Sequence, residues 1–228
     1  MTEASVQRQF GEGPLSRVAA LVYTLLVVEG LLVVTVLPGA IPLLLLARDP
    51  SNVPLAALCT VPFGPALSAA VYALQRRRLD LTELKPAPAF FRGYRLNVGG
   101  VLRIWLPALV WLVIIGVSLA NFSAAAVPGW WAALLVAIAV VTLLWLANAL
   151  VITSLFTFRT VDVARLAAYF LARNRRGTLG NLALLILAGA VTYFATEAVL
   201  VLLGVVFALA LLSNSQPMIK EIREKFVA

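Results

Sequence analysis

The sequence contains no histidine, a single cysteine and little charge, with Asp, Glu, Lys and Arg together only 12% of its 228 residues. The lack of histidine removes the usual general base, triad member and metal ligand in one stroke, and most hydrolase and metalloenzyme readings go with it. Cys59 has no second cysteine to join, so neither a disulfide framework nor a cysteine metal cluster can form. No glycine-rich phosphate loop with its lysine occurs, nor a dinucleotide fingerprint, so the chain does not itself hydrolyse ATP. Acids placed to act on lipid headgroups are scarce too, which leaves a membrane enzyme little to work with. These absences predict a protein that is not an enzyme and holds no cofactor or metal.

What is abundant is apolar: 62% of the residues are hydrophobic, where ordinary soluble domains have roughly half, with roughly a quarter charged. So few charges cannot cover a water-facing surface, and the apolar residues gather in runs of about 20, the length that crosses hydrocarbon. The sequence predicts an all-α fold, a polytopic transmembrane bundle of about five spans with interfacial amphipathic helices, forming a single membrane domain over 1–228. The formal charge of +8 comes from 15 Arg and 3 Lys against 10 acids. These cations lie beside the apolar runs and not in free tails, a pattern of cytoplasmic membrane edges in contact with the lipid bilayer and not of a nucleic-acid partner. Met1 to Ser16 lacks the basic n-region of a cleaved signal. The first span is therefore expected to be retained, in a multi-pass protein of the cell membrane with a cytoplasmic N-terminus.

The spans fall at about 17–37, 53–74, 104–119, 132–155 and 182–212, with cytoplasmic basic loops at 76–103 and 156–181. Pro38-Gly39 is expected to stop the first, leaving Ala40 to Ala47 as an interfacial or re-entrant turn. In the second, Pro62, Gly64 and Pro65 predict a kink or break near the middle, because proline removes a backbone donor and clashes with the preceding turn. The freed carbonyls then need partners inside the bundle. This element is a candidate hinge, with a packed kink as the plainer reading, and Ala66, Ser68, Ala69 and Ala70 favour close helix contact. Phe90, Phe91, Tyr94 and Leu96 alternate with Arg92, Arg95 and Asn97, predicting a surface-lying helix ahead of the third span. Trp130-Trp131 suits a headgroup interface. The last apolar stretch exceeds the hydrocarbon thickness but shows no turn signal, so one tilted span is predicted and the C-terminus falls outside.

Two acids, Glu29 and Glu197, sit deep in apolar segments, and Asn148 interrupts the fourth span. Intramembrane ionisable residues are expensive and face the bundle interior. Either the acids line a polar path or they tie helices together by hydrogen bonds, with Asn148, Thr192, Tyr193, Thr196 or each other as partners. The string Arg-Gly-x-x-x-Asn occurs twice, at Arg92-Gly93 with Asn97 and at Arg176-Gly177 with Asn181. Arginine can hold phosphate, glycine can let the chain turn into the membrane, and asparagine can cap the entering helix. With Arg76, Arg77, Arg78, Arg95, Arg173 and Arg175, these residues form a candidate surface for lipid headgroups or a docking partner.

Leu37-Pro38, the string from Val61 to Ala69, and Phe90-Phe91-Arg92-Gly93-Tyr94-Arg95-Leu96-Asn97 resemble the YesL-like family of small bacterial membrane proteins, a domain of unknown function, over about residues 12–212. The resemblance implies an accessory or scaffold role beside a carbohydrate ABC uptake system, with ABC transporter subunits as partners and no catalytic residue to carry over. Glu29 departs from the neutral polar residue usual in that family's first span. The competing expectation is a small transporter or channel, working as a homo-oligomer, with Glu29, Glu197 and the broken second helix as its path.

Overall fold

A run of apolar residues in lipid satisfies its backbone only by closing helical hydrogen bonds within itself, and helices are what these segments form. The computed structural model describes residues 14–47, 49–77, 85–125 and 127–226; the predicted roles of residues 1–13, Arg48 and Arg78 lie outside them. In chain order the helices are α1 (Pro14–Leu45), α2 (Val53–Cys59), α3 (Phe63–Gln75), α4 (Pro86–Ala120), α5 (Trp130–Leu155), α6 (Thr160–Arg173), α7 (Arg175–Phe194), α8 (Glu197–Leu202), α9 (Gly204–Asn214) and α10 (Gln216–Phe226). Among the described residues there is no strand, and the predicted all-α bundle is what forms. Five segments are long and apolar enough to cross a bilayer: Ser16–Leu45, Pro50–Gln75, Pro86–Ala120, Trp130–Leu155 and Arg175–Phe194. Their outer faces expose Leu26, Val34, Val110, Ile114, Val141 and Ile186, an apolar belt of the kind that belongs in lipid.

The first predicted stop does not occur. α1 runs through Pro38 and Pro42 to Leu45, so Ala40 to Ala47 is no re-entrant turn for most of its length. Proline's fixed φ suits a helix, and its lost donor is tolerated where neighbours close in. Gly39 supplies that closeness, since a Cβ there would strike the Cys59 carbonyl at the end of α2.

The second span breaks as predicted, at Thr60 to Pro62 between α2 and α3. α3 is the centre of the bundle: Gly64 to Ala66 and Ser68 to Leu74 are buried, with Ala66, Ser68, Ala69 and Ala70 at 0% exposure. The small residues do what their size allows, bringing α1, α4, α5 and α9 onto one helix.

A separate surface-lying helix at 90–97 is not found; those residues belong to α4, a single helix of 35 residues. At 1.5 Å per residue it is about 52 Å long, so it crosses the hydrocarbon and still projects beyond the end of α5. Phe90 and Gly93 are buried under α3, where Tyr72 leaves no room for a Cβ at Gly93, while Phe91, Arg92 and Arg95 face outward. The amphipathic helices are α6, which buries Val163, Ala167 and Phe170, and α10, which buries Met218, Ile219 and Ile222.

The predicted last span is two legs. α7 ends at Phe194, Thr196 is extended, and α8 and α9 run back beside α7. The return is fixed by Asn214 at the end of α9, whose Nδ2 donates to Asn181 Oδ1 near the start of α7 at 3.2 Å. The missed signal is Thr196-Glu197, a cap-type residue followed by an acid in the first turn of a helix. The chain thus turns back after α7, and Pro14 and Phe226 lie at the same end of the bundle. The expectation of one continuous tilted last span is corrected, while the expected five long apolar segments are present.

Candidate functional site

The antiparallel course sorts the charges. Arg17 opens α1, Arg76 and Arg77 close α3, Lys85, Arg92 and Arg95 open α4, and Arg159, Arg165, Arg173, Arg175 and Arg176 surround α6 and the start of α7. Lys220, Arg223 and Lys225 on α10 join them. Arg103, the deepest, is exposed on α4 within two turns of the end of α5. Every described lysine and arginine therefore belongs to one end, whereas the other carries Asp49, Glu197, the exposed Trp130-Trp131 pair, stacked at 4.4 Å, and no described cation.

Several of the cations have local partners. Arg76 lies over the Tyr72 ring at 4.5 Å, and Arg173 pairs with Glu221 at 3.7 Å. Arg77, Arg92, Arg95, Arg175 and Arg176 point outward. Hydrogen bonding by Lys225 at 2.7 Å outweighs partial desolvation and, with the charges of Lys225 and Arg173, holds the Glu221 carboxyl below its ordinary value. At the opposite end the Ser51 side chain and N–H do the same for Asp49.

In the two Arg-Gly-x-x-x-Asn strings the glycines and asparagines have equivalent roles, but not the predicted ones. Neither glycine turns the chain and neither asparagine caps a helix. Gly93 and Gly177 sit where a side chain would collide, with Tyr72 in one case and with Asn174 and Asn214 in the other. Asn97 Nδ2 donates to the Ser154 carbonyl at the end of α5 (3.0 Å), and Asn181 receives Asn214 at the end of α9. Each string thus fastens an ascending helix to the foot of its descending partner. The cap of α7 is Asn174, whose Oδ1 accepts from Gly177 N at 3.3 Å.

The break between α2 and α3 is braced. Trp105 Nε1 donates to the Thr60 carbonyl at 3.2 Å, beside the Phe63 N–H that the same oxygen accepts, and the Trp105 indole covers Gly64, where a Cβ would come within 2.6 Å. Pro62, Gly64 and Pro65 thus form a wedge held by α4. Ser68 and Ser154 join α3 to α5 at 2.8 Å.

The three intramembrane polar residues are not one cluster. Glu29 reaches from α1 to the start of α9, where its Oε2 accepts from Val205 N at 2.6 Å, so one helix supplies the carboxylate that satisfies the free N–H groups of another. Asn148 Nδ2 instead donates to Ala167 O on α6 (3.4 Å), and Thr192 bonds its own helix at Ala188 O.

Glu197 opens α8 and lines two adjoining chambers. The inner one, about 400 Å³, lies between α1, α3, α4, α5, α7, α8 and α9 and has walls such as Val36, Phe63, Leu109 and Phe207. The outer one, about 350 Å³, is bordered by Asp49, Asn52 and Thr196. The chamber is partly open, and water finds few hydrogen-bond partners on such walls. Hydrocarbon is the filling these walls select.

Fold, charge sorting and apolar belt define a multi-pass helical membrane protein in contact with lipid. No family model matches the chain, and neither the curated proteins nor the solved structures contain a match.

Proposed function

We propose that this protein works by association in the membrane, as a non-enzymatic accessory or scaffold subunit beside a transport system. The observation that carries the reading is the gathering of every described lysine and arginine at one end, most of them exposed. Such a face offers planar, multidentate donors to acidic side chains or phosphates, and by the positive-inside rule it is cytoplasmic. Among the described residues no group of His, Cys, Asp and Glu is arranged to hold a metal. The further assignment to a carbohydrate ABC importer rests on the resemblance of 12–212 to YesL-like proteins alone. Purification in mild detergent at native expression, followed by mass spectrometry, tests the reading. Co-elution of transporter subunits, lost when Arg92, Arg95, Arg175 and Arg176 are replaced by Ser, is expected; recovery with no transporter subunit contradicts it.

The second reading, a small transporter or channel, draws support from Glu197 at the junction of the two chambers. Against it, Glu29 is committed to the α9 backbone and the inner chamber offers a sugar or ion few groups to replace its hydration. Proteoliposome flux that depends on Glu197 would reverse the order of the two.

A further inference from the structure

The two chambers at the end away from the cations adjoin, with Leu43, Leu44 and Glu197 lining both. They differ in chemistry. The inner one is walled almost wholly by aliphatic and aromatic side chains from seven helices, whereas the outer one adds Asp49, Asn52 and Thr196, from the α1–α2 and α7–α8 connections, to apolar residues such as Leu46 and Val53. An apolar solute would leave the outer groups unused, and a sugar or peptide would strand its polar groups inside without hydrogen bonds. Only a molecule with an apolar body and a polar end matches both. The volumes lie in the range of small-molecule sites, which are mostly apolar with a few placed polar groups.

We propose that the paired chambers are a binding site for a linear amphiphile, its hydrocarbon chain lying along Val36, Phe63, Leu109 and Phe207 and its polar head among Asn52, Thr196 and Glu197. Glu197 sits where chain gives way to head. Asp49 is ordered by Ser51, at 2.8 Å from the Ser51 N–H, and Asn52 by the Ala47 carbonyl at 3.0 Å, so the outer wall is formed before any ligand arrives. The inner wall is fixed by the braced α2–α3 break on one side and by the Glu29 clamp on α9 on the other. The chain has two sources, a single-chain amphiphile or one acyl chain of a bilayer lipid, and the chemistry recognised is the same.

The test uses the full chain in phosphatidylcholine nanodiscs, with lysophosphatidylethanolamine carrying a mid-chain diazirine as the probe. Photolabelling mapped by mass spectrometry should mark Phe63, Leu109 and Phe207 several-fold above the outward-facing Val34 and Ile186. Ala188→Phe and Leu200→Trp, two independent ways of filling the inner chamber, should abolish that excess while labelling at Val34 and Ile186 stays. Glu197→Leu should weaken competition by unlabelled lysophosphatidylethanolamine several-fold. Displacement by diacyl phosphatidylethanolamine assigns the chamber to a bilayer lipid, and displacement by the single-chain lipid alone assigns it to a free amphiphile; either supports the site. The proposal is overturned if labelling inside equals labelling outside, or is unchanged in filling variants that keep their thermal transition, or if Glu197→Leu competes as the native chain does. None of these readouts involves a protein partner, so failure here leaves the association reading standing.

Discussion

At the scale of single residues, most of the polar groups work as fasteners between helices. Glu29 shows why depth in an apolar run does not by itself mean a pathway: the break at Leu203 leaves N–H groups of α9 without intrahelical partners, and a carboxyl on the adjacent α1, 176 residues away in sequence, meets one of them. Replacing Glu29 by Gln keeps an accepting oxygen, so stability in detergent should stay near native, whereas Glu29→Leu should cost about 1–2 kcal/mol, the value of a lost helix cap. Equal losses in both would contradict the clamp. Gly64 gives a second case. Gly64→Ala drives a methyl group into the Trp105 indole and should destabilise by about 1–3 kcal/mol, with the loss reduced in a Trp105→Phe background. The depth of Glu29, the proline break and the small face of α3 were legible in the sequence because composition alone sets them; the depth expected for Glu197 was wrong, since the turn at Thr196 brings it to the end of the bundle. The partners were not: nothing near Asn97 announces Ser154, and nothing near Trp105 announces the Thr60 carbonyl, since those meetings depend on the register between helices.

At the scale of elements, the errors share one cause. Pro38-Gly39 reads as a stop, yet α1 continues because α2 packs closely enough to compensate; Phe194 to Glu197 reads as continuous, yet the chain turns because Asn181 and Asn214 hold the two legs foot to foot. Asn214→Ala should therefore loosen α8 and α9 more than α4 and α5, with faster amide exchange in 197–214 and a cost of about 0.5–2 kcal/mol, the range for hydrogen bonds between membrane helices. The amphipathic α10 has a pH dependence of defined sign. The Glu221 carboxyl is held below its ordinary value by Lys225 first and by Arg173. Its contribution is complete above the ordinary carboxylate range and is lost as pH falls through the lowered value. Acidification should speed intrinsic-rate-corrected amide exchange in 216–226, and Glu221→Gln should show the fast exchange at every pH. A response to pH that survives in Glu221→Gln would refute this assignment.

For the whole molecule, one arrangement joins the observations. Three helical hairpins, α1 with α2–α3, α4 with α5, and α7 with α8–α9, bring every described cation to one end, leave an apolar belt around the middle and enclose the paired chambers toward the other end. Composition and charge made the bundle and its cationic edge legible before any coordinates, because hydrocarbon imposes both directly. The five long apolar segments were legible too; the turn after α7 was not, because it hinges on one short connection. Cysteine labelling tests it most directly. With Cys59 replaced by Ala, single cysteines at Ser123, Arg176 and Lys225 are treated with a membrane-impermeant maleimide in intact cells and after permeabilisation. Ser123→Cys should react from outside, and Arg176→Cys and Lys225→Cys only once the membrane is opened. Reaction of Lys225→Cys from the same side as Ser123→Cys would contradict the arrangement.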